Sequence, residues 1–148
     1  MSAVAVSAGA SRRPTLRAAT AVVALIGLGI ATYLTIVHYA GGSPVCAIAH
    51  GCETVQKSHY SKLFGVPVAL LGGLSYLGIL TTLARDGENW RTAGAVIAIV
   101  GAGFSGWLTF VEVFKLHAIC IWCVGSAICM ALLVILTVTR MLRTPPVR

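Results

Sequence analysis

The chain has 148 residues, of which 57% are apolar and 10% are charged, with a formal net charge of +7 and a mean hydropathy of +0.90. A typical soluble domain has about 25% charged residues. The composition excludes an ordinary soluble domain, because too few polar side chains remain to cover a water-facing surface. It predicts an all-α integral membrane protein.

Four apolar stretches are long enough to cross a bilayer, which takes roughly 17–25 residues. The first is longer than the apolar core of a signal peptide, about 7–15 residues, and no convincing cleavage site follows it. We therefore predict a four-helix membrane domain over 17–140, with spans at 17–39, 66–84, 92–114 and 120–139. Residues 1–16 are predicted to be a disordered N-terminus and residues 141–148 a short polar tail.

The basic residues are distributed unequally between the two sides that four spans would create. One side would receive eight arginines: Arg12, Arg13, Arg17, Arg85, Arg91, Arg140, Arg143 and Arg148. The other side would receive three lysines: Lys57, Lys62 and Lys115. The positive-inside rule then predicts that both termini are cytoplasmic and that the loop 40–65 is extracytoplasmic. No basic patch is present, so binding to nucleic acid is not expected.

The longest loop, residues 40–65, is predicted to carry the redox chemistry and a cap. Its segment CETVQKSHYSKLF, which begins at Cys52, has apolar and polar residues at helical spacing. We predict a short amphipathic helix that lies in the membrane interface as a lid over the four spans.

The sequence CIWC places Cys120 and Cys123 where the fourth span begins. Unpaired N–H groups and partial positive charge at a helix N-terminus favour a thiolate, which is the attacking species in disulfide exchange. We predict that Cys120 begins the helix and that Cys123 lies one turn deeper, within reach of a lipid-soluble oxidant. Cys129, deep in the span, is predicted to be a packing residue.

The loop contains a second pair, Cys46 and Cys52. One accessible pair and one pair at the membrane edge are what a thiol–disulfide relay needs, with electrons entering at the first and leaving at the second. Two alternatives stay open. Both pairs can be static disulfides, or the outer cysteines and histidines can bind a metal in a non-enzymatic membrane protein.

These features together resemble the vitamin K epoxide reductase family, in its bacterial disulfide-forming branch without a fused thioredoxin domain. The matching parts are the C-x5-C loop, Ser58 six residues further on, FGVPVALLG at the start of the second span, and CIWC at the start of the fourth. They follow one another in order over about residues 17–140. The resemblance implies a four-helix bundle around a quinone, capped by the loop and its short helix.

The resemblance also implies roles for individual residues. Cys120 and Cys123 would be the active-site pair, with Cys123 facing the quinone. Cys46 would exchange with the partner, and Cys52 would form a transient disulfide with Cys120. Further contacts to the quinone are expected from Ser58, Phe64 and Trp122.

The expected function is that of a quinone-dependent thiol oxidase in the inner membrane, supporting disulfide-bond formation. Electrons would pass from a reduced DsbA-like periplasmic protein to menaquinone or ubiquinone. Because the sequence ends at Arg148, we expect this partner to be a separate protein. Animal relatives carry a tyrosine where this chain has Ala127, so a plain quinone is expected as acceptor rather than vitamin K epoxide.

Two polar residues near the active-site pair are expected to have structural roles. Glu112 is predicted to be shallow or paired with Lys115, since an acid in a span is costly otherwise. His117, three residues before Cys120, is expected to be an interfacial loop residue rather than a group that stabilises the thiolate.

Overall fold

The computed structural model of the protein describes residues 2–47 and 51–143, with side chains from Pro14 onward. It is mostly helical. The helices are α1 (Ser2–Tyr39), α2 (Cys52–Lys57), α3 (Val68–Ala84), α4 (Glu88–Val111) and α5 (Ile121–Arg143). A 3₁₀ turn (His59–Ser61), a π-helical turn (Glu112–Leu116) and two short strands, β1 (Lys62–Leu63) and β2 (Val66–Pro67), complete the described elements.

Three of these helical segments are long and apolar enough to cross a membrane: Pro14–Tyr39, Glu88–Leu116 and Ile121–Arg143. They correspond to the predicted spans 17–39, 92–114 and 120–139. The predicted span 66–84 corresponds to α3, an apolar helix of 17 residues, which is shorter than the other three. Helix α1 already begins at Ser2, so it includes most of the N-terminal segment that the sequence predicts to be disordered.

The long helices pack in a closed arrangement in which α1 contacts α3 and α5, and α4 contacts the same two helices. Tyr76 of α3 is fully buried, and its hydroxyl lies 2.8 Å from both the carbonyl oxygen and the Oγ of Ser126 in α5. A Cβ on Gly101 of α4 would lie 2.9 Å from Met130 Sδ, so the small residue lets α4 approach α5 closely. Cys129 is buried in this core, as a packing residue would be.

The outward faces of the helices are apolar. Large side chains that are more than half exposed include Leu25, Ile36, Val100 and Ile135. Such surfaces are unfavourable in water and suit contact with lipid. Together with the three long apolar helices, they identify a membrane protein.

Charged side chains gather at the end of the helices that lies away from the cysteines. Arg17 donates hydrogen bonds to the Leu83 carbonyl oxygen and to Asp86 Oδ1, the latter at 3.4 Å. The guanidinium of Arg85 lies 5.0 Å from the centre of the Trp90 ring. These contacts join the start of the apolar part of α1 to the turn between α3 and α4.

The cap over the opposite end is more divided than the sequence predicts. The predicted helix over CETVQKSHYSKLF ends at Lys57, because Ser58 has an extended backbone that ends α2. The 3₁₀ turn follows, and then β1 and β2 pair as a two-stranded hairpin. Phe64 and Gly65 form its turn at φ 51° and 82°, and the Phe64 side chain is 98% exposed. The predicted short helix is therefore present over Cys52–Lys57, but it does not extend through residues 58–64.

Candidate active site: two cysteine pairs beside an apolar cavity

The four cysteines that the sequence singles out lie in one cluster. Cys52 and Cys120 are 1% and 0% exposed, and they share this cluster with the partly buried Cys46 and Cys123. Cys46 and Cys52 come from the loop, and Cys120 and Cys123 come from the start of α5, more than 60 residues away in sequence. The structure thus brings the two predicted pairs together and keeps Cys129 apart from them.

Cys120 and Cys123 lie at the N-terminus of α5, as the sequence predicts. The Cys120 carbonyl oxygen accepts the first helical hydrogen bond, from Val124 N at 3.0 Å, so Cys120 caps α5. The Cys123 amide donates to Cys120 Sγ at 3.4 Å. A hydrogen bond from the Cys123 side chain is the largest cause that lowers the pKa of the Cys120 thiol, and it outweighs the opposing effect of burial. Cys120 is therefore the better nucleophile of this pair.

The loop pair forms a disulfide, with the two Cα atoms 6.3 Å apart. Cys46 is partly exposed, whereas Cys52 is buried at the start of α2. Gly51 fixes the depth of that helix start, because a Cβ there would lie 2.5 Å from the backbone nitrogen of Ile119. The segment that carries Cys52 therefore lies directly against the segment that leads to Cys120.

The residue before Cys46 is attached to two helices. The Val45 amide donates to the Tyr33 hydroxyl of α1 at 3.0 Å, and the Val45 carbonyl oxygen accepts from Trp122 Nε1 of α5 at 2.8 Å. The two aromatic rings contact each other with their centres 4.9 Å apart. We call these three residues the loop clamp. It holds the accessible end of the loop in place through two side-chain hydrogen bonds to the main chain of Val45.

A cavity of about 240 Å³ lies beside Cys123, under the cap and between α1, α3, α4 and α5. Its wall is mostly apolar, with side chains such as Leu34, Leu71, Phe104, Leu108 and Met130. A few polar groups interrupt this wall: Gln56, Ser58, Ser61, Ser75, Ser105, Thr109, Glu112 and Ser126. An apolar wall with a few polar groups suits a flat, lipid-soluble ring with carbonyl oxygens. The residues present therefore fit the quinone that the family resemblance implies.

The three predicted quinone contacts besides Cys123 are placed differently from one another. Ser58 lines the cavity, and its Oγ donates to the Val55 carbonyl oxygen at 2.7 Å. Trp122 belongs to the loop clamp and is not among the residues that line the cavity. Phe64 projects from the hairpin and lines a separate surface groove rather than this cavity.

Two residues that the sequence reasoning did not assign to the site are next to Cys123. Gln56 Nε2 lies 3.9 Å from Cys123 Sγ. Glu112 is buried, and its Oε2 accepts a hydrogen bond from the Cys120 amide at 3.2 Å. Its expected pairing with Lys115 is not found, since Lys115 is exposed and the ion pairs among residues 14–47 and 51–143 are Arg17–Asp86 and Glu53–Lys57. The signal for Glu112 was present, because it is the one acid inside a predicted span.

The remaining polar candidates are peripheral. His117 is exposed and has a left-handed backbone, at φ 48°, that ends the π-helical turn. Within the described ranges, no group of three or more histidine, cysteine or acidic side chains is placed to hold a metal ion. His50, which the metal alternative included, lies outside those ranges.

Comparison with known proteins finds a family and a relative. The model of the vitamin K epoxide reductase family matches residues 18–138. The chain is also similar to thiol-disulfide oxidoreductase LTO1 of Arabidopsis thaliana, with 32% identity over 108 residues. That match covers 64% of this chain and 28% of the plant protein, so the chain spans less than a third of the length of that relative.

Proposed function

The chain belongs to the vitamin K epoxide reductase family, and from that premise we propose that it is a membrane thiol oxidase. It passes electrons from a reduced thioredoxin-fold protein through Cys46 and Cys52 to Cys120 and Cys123, and then to a quinone. The observation that carries this proposal is the single cluster formed by a disulfide-bonded loop pair and a free pair beside an apolar cavity. The name of the plant relative supports the reaction class.

The first exchange takes place at the partly exposed sulfur. A thiolate of the partner attacks Cys46 Sγ, which breaks the loop disulfide and releases Cys52 as a thiolate. The second thiol of the partner then attacks the mixed disulfide and leaves Cys46 reduced. Two electrons have now entered the loop, and the partner has gained a disulfide. The burial of Cys52 favours this order, because a large protein partner cannot reach it.

The second exchange takes place inside the cluster. Cys52 attacks Cys120 Sγ of the oxidised α5 pair, and Cys123 leaves as a thiolate. Cys46 then attacks Cys52, which restores the loop disulfide and leaves Cys120 reduced. The lowered pKa of the Cys120 thiol favours its departure, because a weaker base is a better leaving group.

The quinone supplies a two-electron acceptor when it is bound. The chain contributes a dry cavity, Cys123 at its edge, and polar groups such as Ser58 and Gln56 that can orient carbonyl oxygens. Menaquinone and ubiquinone both present such oxygens. The cap of α2, the 3₁₀ turn and the hairpin limits the access of water.

We also propose the arrangement in the cell that this reaction requires. The four helices α1, α3, α4 and α5 cross the inner membrane with both termini in the cytoplasm. The basic residues of the α3–α4 turn and of the α5 terminus then follow the positive-inside rule. The cysteine cluster faces the periplasm, where a DsbA-like partner with two thiols would meet it.

A trapping experiment tests the relay. The double variant Cys46→Ala, Cys123→Ala is expressed in membranes and analysed on non-reducing gels with peptide mapping. We expect a Cys52–Cys120 disulfide, since the two remaining sulfurs of the cluster are buried together. The same variant with Cys129 also replaced by alanine is the control for pairing with the core cysteine. Free thiols at both positions under mild oxidant contradict the proposed order of exchange.

A further inference from the structure

Glu112 is a carboxyl group held in an apolar part of the molecule, with 3% of its surface exposed. In the part of the chain whose side chains are described, the two ion pairs do not include it. Burying a carboxyl group without a cation costs stability. An apolar side chain at this position would avoid that cost.

Glu112 lies beside the α5 pair. Its Oε2 accepts a hydrogen bond from the Cys120 amide at 3.2 Å, and Cys123 lies one helical turn beyond Cys120. The same side chain lines the cavity. One carboxyl group thus bonds to the start of α5 and lines the same cavity as the Cys123 thiol.

The backbone is folded in an uncommon way to achieve this contact. Helix α4 continues into the π-helical turn Glu112–Leu116, which His117 ends with a left-handed conformation. The Ala118 amide then donates to the Glu112 carbonyl oxygen at 3.1 Å, so the chain returns toward the residue it left. π-helical turns are rare and are found frequently at functional sites.

The other polar groups near Cys123 do not offer the same chemistry. Gln56 lies 3.9 Å from Cys123 Sγ, but an amide neither gains nor loses a proton in this range of acidity. Ser58 and Ser126 already bond to Val55 and Tyr76. Among the described side chains that line the cavity, Glu112 is the one carboxyl group.

We propose that Glu112 carries a proton between Cys123 and the cavity, which makes it a further catalytic residue. This inference rests on the proposed function. Oxidation of the two thiols forms one S–S bond and releases two electrons and two protons, and reduction of a quinone to its quinol consumes both. Glu112 takes the proton of Cys123 and gives a proton to a quinone oxygen. The proton of Cys120 passes to water, and water supplies the second proton of the quinol.

The test compares Glu112→Gln with the wild-type protein, because glutamine keeps an oxygen that accepts the Cys120 amide but cannot carry a proton. The full chain is reduced in lipid nanodiscs and mixed with menadione, and the absorbance of the quinone is followed. We expect Glu112→Gln to be on the order of a hundredfold slower, as for the loss of a general acid or base. Glu112→Asp should restore part of the rate. Glu53→Gln, which removes an exposed carboxylate of α2, is the matched control and should not change it.

Two further readouts separate proton transfer from a structural role. Infrared difference spectra of reduced against oxidised protein, recorded without quinone, should contain a carboxyl band that Glu112→Gln removes and Glu53→Gln retains. Formation of the Cys52–Cys120 disulfide in the trapping background should change less than about threefold in Glu112→Gln, as expected when the thiols keep their positions.

Each contrary result has a distinct meaning. A Glu112→Gln variant that reduces menadione at the wild-type rate overturns the proposal. A second result also overturns it: Glu112→Gln is slow in both menadione reduction and trapping, and the wild-type protein shows no redox-dependent carboxyl band. If the wild-type protein reduces no quinone, the proposed function fails instead, and the infrared band alone then decides whether Glu112 exchanges a proton with the cysteine pair.

Discussion

The two cysteine pairs differ in how the fold holds them. The loop pair is joined as a disulfide at the edge of the cap, with one sulfur partly exposed. The α5 pair is free, begins a long helix and has Cys123 beside the cavity. The loop pair is positioned by the contacts that its neighbours Val45 and Gly51 make through their backbone. The α5 pair is positioned by the helix itself. A relay needs this contrast, because the loop must exchange with a protein and the helix must exchange with a small molecule.

Replacing Cys123 of the α5 pair is expected to have the largest effect. Cys123→Ala should abolish quinone reduction, because the thiol at the cavity edge can no longer give up its electrons. The absorbance of menadione after mixing with reduced protein measures this loss. Cys129→Ala removes a sulfur from the same helix but from the separate core, and it should leave turnover unchanged. Equal losses in both variants would contradict the assignment of roles.

The contact between the two pairs can be broken at Gly51. In Gly51→Ala the new Cβ would meet the Ile119 backbone at 2.5 Å, so the start of α2 must move away from Cys120. We expect Cys52–Cys120 trapping to slow by about tenfold to a hundredfold, since small displacements of reacting groups are costly. Gly42→Ala is the matched control in the same loop, where the nearest atom would be 3.9 Å away. Similar rates in the two variants would exclude a role for this close contact.

The attachment of the loop pair can be weakened separately, at the loop clamp. Tyr33→Phe removes the acceptor of the Val45 amide, and one hydrogen bond contributes about 0.5–1.5 kcal/mol. The amide hydrogen of Val45 should therefore exchange roughly two- to tenfold faster, as measured by NMR or mass spectrometry. Tyr39→Phe, at the exposed end of α1, is the control. An unchanged exchange rate in Tyr33→Phe would mean that this hydrogen bond does not hold the loop in solution.

The smallest expected effect is a shift in the pH dependence of Cys120 alkylation. The pKa of Cys120 is lowered chiefly by the hydrogen bond from Cys123, so its thiolate persists at pH values where an ordinary thiol is protonated. Its reactivity is lost as the pH falls through that lowered pKa. Cys123→Ala should move the alkylation profile of reduced Cys120 to higher pH, whereas Cys123→Ser, which keeps a hydroxyl donor, should move it less. Coincident profiles for all three proteins would contradict this cause.

The sequence predicted the features that depend on composition and spacing. Long apolar stretches predicted the three helices that can cross a membrane, and CIWC predicted a cysteine at the start of α5. It could not predict how the cap is divided, because the end of α2 at Ser58 is a local backbone choice that helical periodicity does not reveal.

The position of Glu112 in a span marked it as unusual but did not reveal its contacts. An isolated acid near the end of a span fits a shallow position at the membrane surface as well as a buried position beside the cysteines. The π-helical turn and the left-handed His117 bring it back to Cys120, and these features arise only in the folded chain.

The loop clamp has a consequence for how long the partner stays bound. Because Val45 is attached to α1 and α5, and Cys52 begins a helix seated against Ile119, opening the loop disulfide leaves its two thiols as neighbours. Closure of the loop is then an intramolecular reaction, and neighbouring thiols act at an effective concentration that a diffusing competitor does not reach. A mixed disulfide with the partner should therefore have a short dwell time. Attack by Cys52 recloses the loop and returns the partner in its reduced form, so a productive exchange requires the partner's second thiol to attack the mixed disulfide first.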